Sequence, residues 1–102
     1  MASKGALILA DADNVATAID DIEPGTEAPV RLGKDVRIVK ALEMIPFGFK
    51  IAIADIPKGT HVIKYGEPIG KASSDIKKGS LVHVHNLEGT RGRGDLTKGG
   101  ER

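Results

Sequence analysis

The chain has no cysteine and no tryptophan, and its aromatics stop at Phe47, Phe49 and Tyr65. The lack of thiols excludes a disulfide scaffold, Cys-based zinc sites, thiol nucleophiles and any iron–sulfur cluster ligated by this chain. With so few aromatics, the core has to be aliphatic. Nor does one charge dominate: fifteen Lys and Arg stand against fourteen Asp and Glu, a formal net charge of +1. That balance argues against a partner held purely by electrostatics, whether nucleic acid or an anionic membrane. The longest apolar run near the start, Ala6 to Ala10, is too short for a signal-peptide core or a membrane span. The expectation is therefore a cytoplasmic protein with no nucleic-acid and no membrane partner. Its 102 residues leave room for one domain and none for a two-domain catalytic machine. Phosphate-loop, dinucleotide, Gly-x-Ser-x-Gly and His-Glu-x-x-His motifs are missing too.

What remains points to sheet. Eleven Ile and seven Val outnumber seven Leu, and β-branched side chains suit a pleated surface better than a helix. A short repeat organises the chain. Asp21-Ile22-Glu23-Pro24-Gly25-Thr26 is echoed by Asp55-Ile56-Pro57-Lys58-Gly59-Thr60 and by Asp75-Ile76-Lys77-Lys78-Gly79-Ser80, with a looser copy in Met44-Ile45-Pro46-Phe47-Gly48. Each reads as a buried Ile, a turn whose Gly takes a positive φ, and a new extended segment. The intervals are uneven, so this is a recurring turn and not a solenoid.

Period-two alternation predicts strands over Val36–Val39, Lys50–Ala54, His61–Tyr65 and Leu81–His85, and Ala6–Ala10 reads as a buried strand. Asp13 can cap a short helix, but alternation of Val15, Thr17 and Ile19 favours strand. Gly66 and Gly70 bracket Glu67-Pro68-Ile69 as a bend. From Gly89 onward the chain holds five of the thirteen Gly and almost nothing to bury. The expected organisation is one domain over 1–90 and a flexible Gly/Arg-rich tail over 91–102.

The most pointed chemistry is His83-Val84-His85-Asn86. On a strand, His83 and His85 share one face, and two imidazoles so placed can reach one divalent metal. A third ligand has to come from His61, Asp13 or another chain, because complete sites need three or four. Spacing alone favours a pair of partly exposed histidines hydrogen-bonded to neighbours. Lys50, Lys64 and Tyr65 are candidate acid/base or anion-contacting groups, set against the solvated edge charge that a strand lysine usually is. Asp13-Asn14 suits a cap or turn on its own terms. Arg91-Gly92-Arg93-Gly94 can cradle phosphate or touch RNA through its guanidiniums, but the tail has no aromatic on which a base could stack.

Three stretches resemble the small subunit, or N-terminal domain, of the altronate/galactarate dehydratase family. They are Asp13-Asn14-Val15-Ala16, Lys64-Tyr65-Gly66-Glu67-Pro68-Ile69-Gly70, and His83-Val84-His85-Asn86-Leu87-Glu88 running into Arg91-Gly92-Arg93-Gly94-Asp95. The repeated turn also looks like the SAF domain, a β-clip module. This resemblance implies a mainly β, single-domain β-clip fold with at most one or two short helices. It implies the small subunit of a sugar-acid hydro-lyase, working beside a separate large catalytic subunit in metal-dependent β-elimination of water. The cofactor implied is a divalent metal, typically iron(II), in the assembled enzyme. Residues carried over are His83 and His85 for metal or acid/base work, Asp13 as a further metal ligand, Lys64 and Tyr65 for the polyhydroxy acid, and Arg91 and Arg93 for its carboxylate or the large subunit.

One position departs from the pattern. The family commonly reads Pro-x-Gly-His-Lys where this chain has Pro46-Phe47-Gly48-Phe49-Lys50. Phe49 can neither ligate a metal nor move a proton, so either a functional group is lost or the position only packs. A sulfolactate-cleaving branch that expels sulfite, a non-catalytic β-clip module that binds a carbohydrate or protein, and assembly of the chain with copies of itself all stay open on sequence.

Overall fold

The repeated turn builds the molecule. In the computed structural model, which describes residues 4–89, the repeat is longer than the turn itself and begins three residues earlier, on an alanine. Four nine-residue units run from Ala18 to Thr26, Ala41 to Phe49, Ala52 to Thr60 and Ala72 to Ser80. They clasp in two pairs. Gly25 N–H donates to Ala41 O while Ala41 N–H donates to Thr26 O, and Gly48 and Phe49 make the same two bonds with Ala18. Gly59 and Thr60 bond Ala72 in this way, and Gly79 and Ser80 bond Ala52. All eight bonds measure 2.7–2.9 Å, and the four alanines are buried to within 1%. At the centre of each clasp two isoleucines form an antiparallel bridge, Ile22 with Ile45 and Ile56 with Ile76.

A carboxylate locks each clasp from outside. Asp55 Oδ1 accepts Lys78 N–H at 2.9 Å and Asp75 Oδ1 accepts Lys58 N–H at 2.8 Å. In the first pair, Asp21 Oδ1 accepts Phe47 N–H at 2.8 Å. The reciprocal bond would join position 44 to residue 24, which is Pro24 and has no N–H to give. Met44 therefore stands where the other units carry Asp, which explains why that copy looked loose.

Nine strands connect these units: β1 Ala6–Leu7, β2 Val15–Ala18, β3 Glu27–Leu32, β4 Asp35–Lys40, β5 Lys50–Ala52, β6 His61–Lys64, β7 Glu67–Ala72, β8 Leu81–Val82 and β9 Leu87–Glu88. No helix occurs among the described residues, in keeping with the mainly β expectation. Six strands form a large sheet in the order β4-β3-β1-β2-β5-β8, and three form a small sheet in the order β6-β7-β9. Only β1 with β3 is a parallel pair among the pairings of these strands.

The large sheet has two unlike faces. One carries Ala6, Ala16, Ala18, Val30, Val39 and Ile51 into the first core cluster. On the other, Val15, Ala52 and Val82 meet Val62 and Ala72 of the small sheet in the second cluster. The small sheet covers that face only in part. Register runs a row across it from Val36 through Arg31, Leu7, Thr17 and Lys50 to Val82, and burial rises along the row from exposed to complete. The largest fully buried side chains are all Ile or Val, each contributing roughly 1.5–3 kcal/mol through burial.

Three local expectations are corrected. Glu67-Pro68-Ile69 is not a bend but the start of β7. Pro68 is tolerated there because the β6–β7 ladder is irregular, shifting register between Val62 and Ile63. The strand expected over Leu81–His85 ends at Val82, and that over Ala6–Ala10 ends at Leu7. Val15–Ala18 is a strand, as alternation favoured. The tail expected over 91–102 lies outside the described residues.

Gly59 and Gly79 hold the same place in the repeat, with φ of 86° and 95°. A Cβ on Gly59 would meet nothing within 4 Å, whereas one on Gly79 would lie 2.1 Å from Lys40 O. Gly59→Ala is therefore expected to cost only the left-handed penalty, about 1–2 kcal/mol, and Gly79→Ala to cost clearly more. Urea unfolding of the two variants checks this; equal losses would contradict the close approach at Gly79.

Candidate functional site

Asp13 and Asn14 tie the loop before β2 to the hairpin of the small sheet. Asp13 is 7% exposed, and four backbone N–H groups converge on its carboxylate. Oδ2 accepts from Leu9 at 3.2 Å, Ala10 at 3.0 Å and Tyr65 at 3.1 Å, and Oδ1 accepts from Gly66 at 2.8 Å. Asn14 Oδ1 accepts Ile63 N–H at 2.8 Å while its amide donates to His61 O at 3.0 Å. Both oxygens of Asp13 are thus engaged in holding backbone, the cap-or-turn role that its sequence context favours.

That clamp fixes an unusual turn. Tyr65 and Gly66 join β6 to β7 with φ of 58° and 71°, the paired left-handed conformation of a two-residue type I′ hairpin. Asn, Asp or Gly normally fills the first of these positions, because a larger side chain is strained there. Here a tyrosine occupies it, two-thirds exposed, and Lys64 Nζ lies 5.6 Å from the centre of its ring. Lys64, Tyr65, Glu67, Pro68 and Ile69 line a depression of about 280 Å³.

Lys50 extends from β5 on the partly covered face, opposite Thr17 of β2 and Val82 of β8. Burial pushes its ammonium below the ordinary lysine range, and the nearby charge of Lys64 adds to the effect. Among the described residues no carboxylate forms an ion pair with either lysine. Beside Lys50, the Thr17 hydroxyl is buried and has no hydrogen-bond partner among the described residues. Sequence reasoning did not single out Thr17, although its place between Val15 and Ile19 was a usable sign.

The histidines lie elsewhere. Asn86 turns the chain after β8: its Oδ1 accepts His83 N–H at 2.9 Å, its amide donates to Leu81 O at 2.8 Å, and its own N–H reaches His83 O at 3.0 Å. His83 and His85 are consequently turn residues and not neighbours on one strand face. Asn86 directly after His85 was the sign of such a turn. The His83 ring stands 4.8 Å from that of Phe49 at 55°, and Phe49 packs against the first core cluster. Alternation along β5 puts Phe49 and Lys50 on opposite faces, so the sheet separates His83 from the lysines. His85 and His61 are exposed.

No three His, Asp or Glu side chains gather among the described residues in a way that could hold a metal. With Asp13 committed to four N–H groups, the described donors of this chain do not make up a metal site by themselves. Arg91 and Arg93 lie outside the described residues.

Removing the Asp13 carboxylate would strand buried N–H groups. Asp13→Ala is expected to cost about 3 kcal/mol or more, while Tyr65→Asn should raise stability by about 1 kcal/mol by relieving the left-handed strain. Chemical unfolding measures both; a stabilising Asp13→Ala would show that the clamp is not structural.

Comparison with known proteins gives this geometry its context. The family model described as the altronate/galactarate dehydratase SAF domain matches residues 4–90. The chain is 47% identical over 74 residues to an altronate dehydratase of Escherichia coli (strain K12), covering 72% of this chain and 14% of that protein. It is 40% identical over 76 residues to an altronate dehydratase of Bacillus subtilis (strain 168), covering 74% and 14%. Over 49 residues it is 43% identical to a (2R)-sulfolactate sulfo-lyase subunit alpha of Chromohalobacter salexigens, covering 48% and 52%. The chain thus spans about a seventh of the length of the altronate dehydratases it matches. On the match over residues 4–90, the chain belongs to the altronate/galactarate dehydratase SAF-domain family.

Proposed function

We propose that this chain acts as the SAF-domain subunit of a sugar-acid hydro-lyase and works with a larger chain that carries most of the active site. The observation that supports this reading is the 47% identity to a single short stretch of a much longer altronate dehydratase. Similarity to a protein named as subunit alpha of a lyase is consistent with the same division of labour.

The reaction is β-elimination from a polyhydroxy acid. A base takes the proton next to the carboxylate, cationic groups hold the charge that develops on the carboxylate side, and an acid protonates the departing hydroxide. In this proposal a divalent metal, typically iron(II), belongs to the assembled enzyme, and its main ligand set to the larger chain. His83, half-buried against Phe49, and His85, exposed in the same turn, are the proton-handling groups this chain offers to that assembly. Phe49 itself packs on core and ring, which favours a packing role at that position.

Two measurements test the reading. Tagged protein recovered from its native cell should bring down a dehydratase-like larger chain in stoichiometric amount. The pair should convert altronate or galactarate to a 2-keto-3-deoxy acid, lose activity to a chelator and regain it with iron(II). Recovery of the chain alone, still binding a sugar acid without turnover, would favour the non-catalytic module; release of sulfite from sulfolactate would move the activity to the other branch. Within the active pair, His83→Ala with His85→Ala is expected to lower kcat by about 10²–10⁴, with the fold retained by circular dichroism. Unchanged turnover would remove both histidines from the chemistry.

A further inference from the structure

We propose that β4 is a pairing edge: it adds antiparallel to β4 of a second copy of this chain, about a two-fold axis, and joins the two large sheets into one. Such an assembly needs neither a larger chain nor a substrate.

Four strand edges end the two sheets among the described residues, and three of them are closed in ways that discourage pairing. β8 and β9 are each two residues long, and the Leu81 N–H of β8 is taken by Glu43 Oε2 at 3.0 Å. β6 has its free side filled by Asn14. The Asn14 side chain bonds His61 O and Ile63 N–H, and its own N–H bonds Ile63 O at 3.2 Å. β4 differs. Its six residues pair with β3 in unbroken register, with no bulge and no proline in β4 itself, and no described strand lies on its other side.

The hydrogen bonds just past β4 identify the residues that offer this edge. Ala41 bonds Gly25 and Thr26 on the β3 side, while Leu42 N–H turns outward to Gly79 O at 2.9 Å. Alternation carried back along β4 directs the N–H and C=O of Val36 and Ile38 outward as well. Their side chains share a face of the large sheet with Leu7, and all three are exposed. An unpaired main chain beside a bare aliphatic row is what an added strand covers.

Charge selects a second copy as the occupant and fixes the register. With the axis at Val36, Asp35 of each copy stands opposite Arg37 of the other, and the two Val36 side chains meet across the axis. Each Val36 then exchanges N–H···O bonds with its counterpart. An axis at Arg37 would instead set two guanidiniums against each other. An axis at Ile38 would need the outward side of Lys40, which the chain itself closes: a Cβ on Gly79 would lie 2.1 Å from Lys40 O. A strand whose opposite charges flank its own centre is complementary to itself, as a two-fold interface requires.

Sedimentation equilibrium of the full chain tests the assembly. The expected species has twice the 10.7 kDa mass of one chain. Its Kd should be on the order of 10 μM, in keeping with a small interface. Val36→Pro removes an outward N–H while sparing the bonds to β3, and should leave a monomer that still unfolds cooperatively on heating. Asp35→Arg and Arg37→Asp should each weaken the dimer about tenfold or more, and the double variant should restore it, because the exchanged charges again oppose. This charge cycle decides the matter even if Val36→Pro fails to fold. Amide hydrogen exchange at Val36 and Ile38 should slow as protein concentration rises. A monomer at about 1 mM, a dimer unaffected by Val36→Pro, a double variant that fails to recover, or protection of the Val36 amide that ignores concentration would each overturn the proposal. So would a monomer that loses a co-purifying larger chain in Val36→Pro, since the edge would then belong to a strand of that chain.

Discussion

The reciprocal pair of hydrogen bonds between a glycine-containing turn and a buried alanine is the interaction on which the rest of the molecule depends. It occurs four times, each turn reaching the alanine that opens the partner unit. In each contact a glycine at positive φ stands on one side and a buried alanine on the other. Because clasping is mutual, neither unit of a pair can form it alone. Between the clasps, Ile22 with Ile45 and Ile56 with Ile76 fill the centres, and the strands between the units take their register from these fixed points. Among the described residues, many short strands thereby cohere without a helix, a disulfide or an aromatic core.

From this constraint follows the half-covered sheet. The clasp of the third and fourth units holds the small sheet over Val15, Ala52 and Val82, and the first clasp lies on the far side with its own core. Thr17 and Lys50 lie where that face passes from shelter to solvent, and the Asp13 clamp fixes the Tyr65–Gly66 turn of the small sheet.

His83 and Phe49 occupy the other face of the same sheet. Lys50 and the His83 imidazole thus stand on opposite faces of the large sheet. The chain spans about a seventh of the length of the altronate dehydratases it matches.

Much of the architecture was legible in residues alone. Ile22, Ile56 and Ile76 with their turn glycines announced the recurring unit, the excess of Ile and Val over Leu announced sheet, and the alternation of Val15 and Thr17 announced β2. Where local pattern failed, a single long-range bond or a side chain had overridden it. Asn86 ended the strand expected to run through His83 and His85, and an irregular ladder admitted Pro68 to β7. The alanine of each unit and the exchange of Asp for Met44 opposite Pro24 were invisible, because their meaning lies in a partner some twenty residues away. Sequence by itself determined the turn chemistry, the aliphatic core and the choice of sheet, since those depend on φ preferences and side-chain branching at each position. Only the tertiary structure decided that Asp13 holds backbone, that Lys50 lies half-buried beside Thr17, and that His83 stands on the opposite face of the sheet, because neighbours across a sheet or between two sheets are set by packing and not by spacing along the chain.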